Sequence, residues 1–228
     1  MKHVVITGGS SGIGLSLVKL FHEKGYKVIS FDIKEPSYPI KGVCYYNVDI
    51  TDYQKVLEVA EPFSKIDILI NNAAVQYIAP LKDLKPEEIK KMVDTNITGT
   101  LNVSKAFALH LENGLIINIG SVHSFVPREN KIPYDMSKAA LKMFTKEIAL
   151  ELKEQGTRAI CVEFGAVNTP MNNNFANEEE KQQALSKQVI KHLMTAEECA
   201  EVVFELAGDK FAYMNGESIV YDCGRSLN

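Results

Sequence analysis

Tyr134 and Lys138, four positions apart in a predicted helix, have the side chains that could together move a proton. Residues i and i+4 of a helix lie on one face, so the phenol and the ammonium could reach a common ligand. A tyrosine hydroxyl titrates near pH 10 when unperturbed, and it needs a nearby positive charge to exchange a proton at neutral pH. Ser121, just after a predicted strand, adds a hydroxyl. Singly, each residue is explained equally well by an amphipathic helix face or a turn.

A glycine-rich stretch, Thr7-Gly8-Gly9-Ser10-Ser11-Gly12-Ile13-Gly14, follows the first predicted strand and opens the first predicted helix. Glycines suit a backbone that turns sharply and approaches a ligand closely. Free N–H groups at the start of a helix favour a pyrophosphate. The spacing is GxxxGxG rather than the GxGxxG of many dinucleotide sites, so a tight strand-to-helix connection is the alternative interpretation.

Asp32 is predicted to end the second strand, 18 residues after Gly14. A carboxylate there can accept hydrogen bonds from an adenosine ribose and would repel a 2′-phosphate. Ser10 and Ser11 bring no cation to the turn, so the sequence favours NAD over NADP, although Lys34 lies close enough to weaken that preference. A strand-end turn residue is the alternative role for Asp32.

Short runs rich in Val and Ile alternate with segments of helical period, which is the pattern of an α/β protein. It predicts a single-domain, Rossmann-type, doubly wound fold with a seven-stranded parallel sheet and helices on both faces. Strands are predicted at 3–6, 27–31, 43–47, 66–70, 115–119, 158–163 and 218–221, and helices at 12–24, 52–60, 86–111, 133–154 and 195–207. We expect one NAD-binding and catalytic domain over residues 1–228. The polar segment 172–190 is expected to form a substrate lid, or else a solvated surface helix.

Composition excludes several classes of protein. The 228 residues have a formal net charge of −4 and no run rich in Lys or Arg, so nucleic acid is not expected as a partner. No apolar stretch approaches the roughly 18 to 20 residues of a membrane span, and no secretion signal is visible, so we expect a soluble, cytoplasmic protein without a membrane partner. Neither the five scattered His residues nor the widely spaced cysteines suggest a metal site, and reduced thiols are expected at Cys44, Cys161, Cys199 and Cys223.

Several motifs in chain order resemble the signature of the short-chain dehydrogenase/reductase family. They are Thr7-Gly8-x-x-x-Gly12-x-Gly14, Asn71-Asn72-Ala73-Ala74, Asn96, Ser121 and Tyr134-x-x-x-Lys138. The 13 residues from Ser121 to Tyr134 also match the family's usual spacing. The resemblance runs to residues 215–222, which look like the family's last strand. Ala74 and Phe164 depart from it, because the family usually has Gly and Pro at these positions.

The resemblance implies an NAD-dependent oxidoreductase that moves a hydride between nicotinamide and a small hydroxyl or carbonyl compound. Tyr134 would be the general acid/base, Lys138 would lower its pKa and bind the nicotinamide ribose, Ser121 would hold the substrate oxygen, and Asn96 would anchor a water of the proton relay. Cofactor contacts are implied for Gly8, Ser10, Ser11, Gly12, Ile13, Gly14, Asp32, Asp49, Ile50, Asn71, Ala73, Tyr134, Lys138, Gly165, Val167 and Thr169. By the same resemblance we expect a homo-oligomer, a tetramer or dimer formed through the helices that follow Asn96 and contain Tyr134.

The expected substrate is the most specific inference. Gln76, His123 and Lys131 flank the reacting centre in stretches similar to those of D-3-hydroxybutyrate dehydrogenase, in which the matching residues bind the substrate carboxylate. With Ser121 and Tyr134, they predict a small 3-hydroxy acid. That enzyme has a further Gln in its lid, where this chain has Asn174 and Phe175. A sugar or polyol dehydrogenase, a 3-oxoacyl reductase and a catalytically silent dinucleotide sensor are therefore alternatives.

Overall fold

Parallel β-strands form the centre of the molecule in the computed structural model, which describes residues 1–171 and 178–227. The strands are β1 His3–Thr7, β2 Lys27–Asp32, β3 Cys44–Asn47, β4 Ile68–Asn71, β5 Leu115–Ser121, β6 Arg158–Phe164, β7 Val167–Asn168, β8 Met194–Thr195 and β9 Glu217–Tyr221. Seven of them form one sheet of order β3-β2-β1-β4-β5-β6-β9, and β7 pairs with β8. Strand order reverses between β1 and β4, and ligands of such sheets bind at the carboxyl ends of the strands beside that point.

Helices cover both faces of the sheet: α1 Gly12–Glu23, α2 Tyr53–Ala60, α3 Pro86–Val93, α4 Thr100–Phe107, α5 Ile132–Glu151, α6 Glu178–Ser186 and α7 Ala196–Leu206. Successive strand residues point to opposite faces, and in β1 this sends Val4 and Ile6 into one core cluster and Val5 into the other. The first cluster packs on Leu17 of α1, and the second on Phe107 of α4. The predicted single-domain Rossmann-type fold is confirmed.

The predicted helix over 86–111 is interrupted. Between α3 and α4 the chain forms a π-helical segment, Asp94–Gly99, and after α4 it continues as a 3-10 turn, Ala108–His110. A Cβ on Gly99 would lie 2.6 Å from Cγ1 of Ile50, so the segment packs closely on the neighbouring loop. π-helical insertions are frequent at functional sites, and apolar periodicity carries no signal for them.

The other departures from prediction are small. The fourth strand begins at Ile68 rather than at residue 66, because the Ile66 N–H donates instead to the carbonyl of His110 at 2.8 Å. The two-residue strands β7 and β8 are too short to produce an apolar pattern. Within the described residues, no helix is long and apolar enough to cross a membrane.

Candidate active site

A cavity of about 890 Å³ opens at the carboxyl ends of the central strands. Its wall includes residues of the glycine-rich turn at one end and residues around Tyr134 at the other. Of the residues predicted from sequence, it brings together Gly8, Ser11, Gly12, Ile13, Asp32, Asp49, Ile50, Ala73, Gln76, Ser121, His123, Lys131, Tyr134, Lys138, Gly165, Val167 and Thr169. Ser10, Gly14, Asn71 and Asn96 are not part of this wall in the described structure.

The glycine-rich turn is held by main-chain contacts. Gly8 has φ +69°, and a Cβ on Gly14 would lie 2.0 Å from the Gly8 carbonyl oxygen, so neither position admits a side chain without a shift. Asn72 Nδ2 donates to the carbonyls of Thr7 and Gly8 at 2.9 and 3.2 Å. Among the described residues, the Ser11 side chain does not cap α1. The N–H groups at the start of that helix therefore lack a side-chain cap, and such a helix start can bind an anion.

Asp32 fixes the loops beside the glycine-rich turn. Its Oδ2 accepts from the Ser10 N–H and its Oδ1 from the Lys34 N–H, both at 3.0 Å. Ser10 Oγ also donates to the Lys34 carbonyl at 2.6 Å. Ser10 therefore holds the Asp32 carboxylate and the next loop in place and does not line the cavity. Each carboxylate oxygen keeps a lone pair for a ribose hydroxyl.

Asp49, farther along the same end, holds its own turn, because its Oδ1 accepts from the N–H and hydroxyl of Thr51 at 2.9 and 2.8 Å. Asn71 instead points into the core. Its Nδ2 donates to Ser104 Oγ at 3.0 Å and to Asn118 Oδ1 at 2.9 Å, so its predicted place in the cofactor groove is taken by its neighbours Asn72 and Ala73.

Tyr134, Lys138 and Ser121 meet at the other end of the cavity, and all three are buried. Lys138 Nζ donates to the Ile119 carbonyl at 2.7 Å and lies 5.7 Å from the centre of the Tyr134 ring. Burial raises the pKa of Tyr134 to about 12, although its hydrogen bond with Ser121 opposes the rise. Burial also lowers the pKa of Lys138 to about 8. We expected Lys138 to lower the pKa of Tyr134, but in this structure desolvation of the phenol dominates.

Asn96 lies in the π-helical segment and braces the wall from outside. Its Oδ1 accepts from the Val75 N–H at 2.8 Å, and its Nδ2 donates to the Val75 carbonyl at 2.9 Å and to Ser137 Oγ at 3.0 Å. Its carbonyl accepts from Thr100 Oγ1 at 3.1 Å. The side chain thus ties the loop before Gln76 to α5. The predicted water contact would have to use the main-chain carbonyl, and it stays a prediction.

The three residues predicted to bind substrate also meet in this cavity. Lys131 is 3% exposed, and its Nζ donates to Gln76 Oε1 at 2.7 Å and lies 5.3 Å from the centre of the Tyr134 ring. His123 packs edge-on against Tyr134 with ring centres 6.5 Å apart. A buried ammonium, an amide and an imidazole therefore surround the phenol.

Protonation decides what these side chains offer to a ligand. Burial, together with Arg128, lowers the pKa of Lys131 to about 8, so it is mostly charged at pH 7. Burial lowers the pKa of His123 to about 4, so the imidazole is neutral. Its Nδ1 lies 2.9 Å from the Val126 carbonyl, which can only accept, so Nδ1 carries the proton and Nε2 is an acceptor. In this neutral form Nε2 can accept a hydrogen bond but cannot donate one, and binding of the substrate by His123 stays a prediction.

Known proteins are similar to this chain over most of their length. The family model described as short chain dehydrogenase matches residues 2–180. The 3-oxoacyl-[acyl-carrier-protein] reductase FabG of Thermotoga maritima is 31% identical over 239 residues, which cover 98% of this chain and 97% of the relative. The chain belongs to the short-chain dehydrogenase/reductase family. Members of this family are oxidoreductases that act on CH–OH groups.

Two solved structures of similar proteins contain nicotinamide cofactors. A 4-hydroxyisoleucine dehydrogenase mutant complexed with NADH and succinate has a TM-score of 0.91 and 26% identity, with 100% of this chain and 99% of that chain covered. ElxO with NADP bound has a TM-score of 0.89 and 26% identity, with the same coverage. A nicotinamide dinucleotide is therefore the cofactor class of this short-chain dehydrogenase, and the choice between the two forms depends on its own residues.

The cavity wall of this dehydrogenase also contains cations that sequence reasoning missed. Arg128, Lys187 and Arg225 line the cavity near the substrate end, and Arg128 and Arg225 both act on the pKa of His123. Arg128 lies between Ser121 and Lys131, so a search of that loop for charge could have found it. Arg225 follows the last strand, where no motif points to the cavity.

The predicted lid is only partly described. Residues 172–177, with Asn174 and Phe175, lie outside the described residues. Beyond them, Gln183 and Ala184 of α6 line the cavity. On the floor, a Cβ on Gly165 would lie 2.9 Å from Asp222 Cα, and the Phe164 ring packs edge-on against Tyr221. Phe164, at the position where the family usually has proline, thus packs on the last strand of the sheet.

Proposed function

We propose that this short-chain dehydrogenase oxidises a small 3-hydroxy acid with NAD, and reduces the 3-oxo acid by the reverse reaction. The observation that carries the proposal is the Lys131 ammonium, buried beside the Tyr134 phenol and hydrogen-bonded to Gln76. An ammonium is buried at a considerable energetic cost unless a partner offsets it. The carboxylate of a substrate would be that partner, and it would orient the 3-hydroxyl toward Ser121 and Tyr134.

The residues at the other end of the cavity fit NAD. The uncapped start of α1 and the close packing at Gly14 suit a pyrophosphate, and Thr169 and Val167 border the inner part of the cavity. Asp32 presents a carboxylate where an adenosine ribose would bind, which favours a free 2′-hydroxyl over a phosphate. When bound, the nicotinamide supplies the hydride acceptor.

The chain's own groups handle the proton. Ser121 and Tyr134 hold the substrate hydroxyl, and Tyr134 accepts its proton during oxidation. With a pKa near 12 the phenol needs a nearby positive charge to ionise, and the Lys138 ammonium, together with an oxidised nicotinamide when bound, would supply it. Asn96 holds the cavity wall at Val75 against α5 through its hydrogen bonds to Val75 and Ser137, so that the reacting groups stay aligned.

Recognition of the acid would use three side chains of different chemistry: a cation, an amide and a neutral imidazole. Lys131 contributes charge, and Gln76, whose Oε1 accepts from Lys131, is left with its Nε2 hydrogens to donate. The neutral His123 offers an acceptor at Nε2, suited to a hydroxyl or an ordered water rather than to the carboxylate. A similar structure, the 4-hydroxyisoleucine dehydrogenase mutant, is a complex with both NADH and a dicarboxylate, succinate, which supports an acid as ligand.

A substrate panel tests this function. We expect NAD-linked turnover of the 3-hydroxybutyrate enantiomers or a close homologue, with a kcat/KM well above that for the neutral 2-butanol and for glucose. Activity confined to sugars or polyols would refute the proposal, and so would NAD binding without turnover of any alcohol.

A second candidate is a 3-oxoacyl thioester reductase, and the Thermotoga relative favours it. The cavity of about 890 Å³ also has room beyond a four-carbon acid. Assaying reduction of acetoacetyl thioesters beside acetoacetate separates the two candidates. A thioester preferred by more than about tenfold, a difference of about 1.4 kcal/mol in transition-state binding, would favour the reductase.

Three further predictions belong with this function. The chain is one NAD-binding and catalytic domain, and segment 172–190 is the substrate lid, as the position of Gln183 on the wall suggests.

The protein is a cytoplasmic homo-oligomer. Exposed apolar side chains on α4, α5 and the 3-10 turn after α4 fit an interface there: Leu101, Leu109, Met143 and Leu150. Light scattering during gel filtration measures the assembly directly.

A further inference from the structure

Glu163 is a buried carboxylate that the proposed reaction does not use. It lies in β6, whose other residues after Arg158 are apolar, and it is 0% exposed. A carboxylate in such a place is strongly unfavourable unless other groups pair with it. Residues that break the local pattern of a strand tend to serve a functional site.

The structure makes room for this side chain next to the reacting centre. Glu163 is the register partner of Gly120 in β5, directly before Ser121. A Cβ on Gly120 would lie 3.1 Å from Glu163 Cγ and 2.7 Å from Cys161 Sγ. The glycine is therefore required for the glutamate to lie against this strand.

Two groups on neighbouring elements meet the carboxylate. Ser124 Oγ donates to Glu163 Oε1 at 2.8 Å, and Lys142 Nζ lies 3.6 Å from the same oxygen. The Lys142 ammonium also lies over the ring of Phe125, 4.8 Å from its centre. Oε2 is buried without a hydrogen-bond partner within the described residues. Glu163 thus connects β6, α5 and the segment after β5.

That segment is the turn that carries Ser121 and His123. The 3-10 helix Val122–Ser124 begins at Ser121, whose Oγ accepts from the His123 N–H at 3.2 Å. The Val126 N–H closes the turn on the Val122 carbonyl at 2.8 Å. Glu163 holds Ser124, so it fixes the end of the turn opposite Ser121.

We propose that Glu163 is a positioning residue, which through Ser124 orients the turn that presents Ser121 and His123 to the substrate. Lys142, which lies in α5, balances the charge of the Glu163 carboxylate. Glu163 therefore links the turn to the helix that carries Tyr134 and Lys138. The inference rests on the role proposed for Ser121 at the reacting centre. It adds a positioning contact behind the wall of the cavity.

The pair Ser124→Ala and Ser124→Thr tests the contact without removing the buried charge. We expect Ser124→Ala to lower kcat about tenfold on the best alcohol of the panel, since a misplacement of about 1 Å lowers a rate by up to about a hundredfold. KM for NAD should stay within about twofold, because the glycine-rich turn is remote. Ser124→Thr keeps the hydroxyl and should restore most of kcat. Ser64→Ala, the same substitution at an exposed serine between α2 and β4, is the matched control.

Hydrogen exchange over residues 121–126 gives a second measurement that needs no substrate. Ser124→Ala and Glu163→Gln should raise exchange at the Val126 amide, with the larger rise in Ser124→Ala, because Gln can still accept from Ser124. Unchanged exchange in both variants would overturn the proposal, as would a Ser124→Thr variant as slow as Ser124→Ala. If the wild type turns over no member of the panel, the proposed function fails, and faster exchange in the variants still supports the positioning role.

Discussion

The two ends of the cavity are built differently. The cofactor end is formed largely by main chain: Gly8 and Gly14 leave no room for side chains, and the Asp32 carboxylate is fixed by two backbone N–H groups. The substrate end is formed by side chains, and those of Lys131 and Gln76 pair only with each other in the described hydrogen bonds. A tightly packed main-chain turn admits few residue types at its positions. At the substrate end, by contrast, one side chain can replace another and change which ligand binds. The first end therefore identifies the family, and the second determines the substrate.

The largest expected effect is at the junction of the two ends. Tyr134→Phe removes the hydroxyl that exchanges the proton and leaves the glycine-rich turn intact. We expect kcat to fall by about a thousandfold, within the range of general acid–base catalysis, while the Kd of NAD stays within about threefold. Stopped-flow turnover and fluorescence titration with NADH measure the two quantities. Near-normal kcat would assign the proton to another group.

A smaller effect is expected at the adenosine end. Asp32→Ala removes the negative charge that opposes a 2′-phosphate, and juxtaposed like charges cost several kcal/mol. The ratio of kcat/KM for NAD to that for NADP should fall by on the order of a hundredfold. Steady-state kinetics with both cofactors measure this ratio, and Glu35→Ala, just beyond the loop, is the control. A wild type that prefers NADP would contradict the assignment.

The smallest effect is a pH dependence at the substrate end. The pKa of Lys131 is lowered to about 8, so its ammonium is present below pH 8 and is lost as the pH rises through that value. The Ki of butyrate, an unreactive acid, should rise about tenfold from pH 7 to pH 9 as the charged fraction falls. The Ki of the neutral butyramide should stay constant. A parallel rise for both inhibitors would point to Lys138, whose pKa is also lowered to about 8.

The sequence predicted most of the cofactor end, because its signals are local. The glycines precede a helix and Asp32 ends a strand, so period and spacing are enough to find them. The sequence did not tell which of the neighbouring residues Asn71 and Asn72 faces the cavity, because side chains alternate along a strand; in the structure Asn72 lies on the wall and Asn71 points into the core. The π-helical segment at Asn96 has no periodic signal at all.

The substrate end was less predictable for a physical reason. Its properties depend on burial, which sequence does not give: the same environment that makes His123 neutral also raises the pKa of Tyr134. The link from Glu163 to Ser124 joins positions 39 residues apart and depends on the space at Gly120. Contacts of this kind appear only after the strands are in register.

Binding of the substrate carboxylate by Lys131 is tested most directly by one comparison of two substrates. For wild type and Lys131→Met, kcat/KM is measured with NAD on 3-hydroxybutyrate and on the neutral 2-butanol, which is close in size. Methionine keeps a stem of similar length and removes the ammonium, with both its charge and its hydrogen bond to Gln76. We predict that the preference for the acid falls by about ten- to a hundredfold, since hydrogen bonds to charged groups contribute about 1.5 to 3 kcal/mol. An equal loss on both substrates would contradict carboxylate recognition by Lys131.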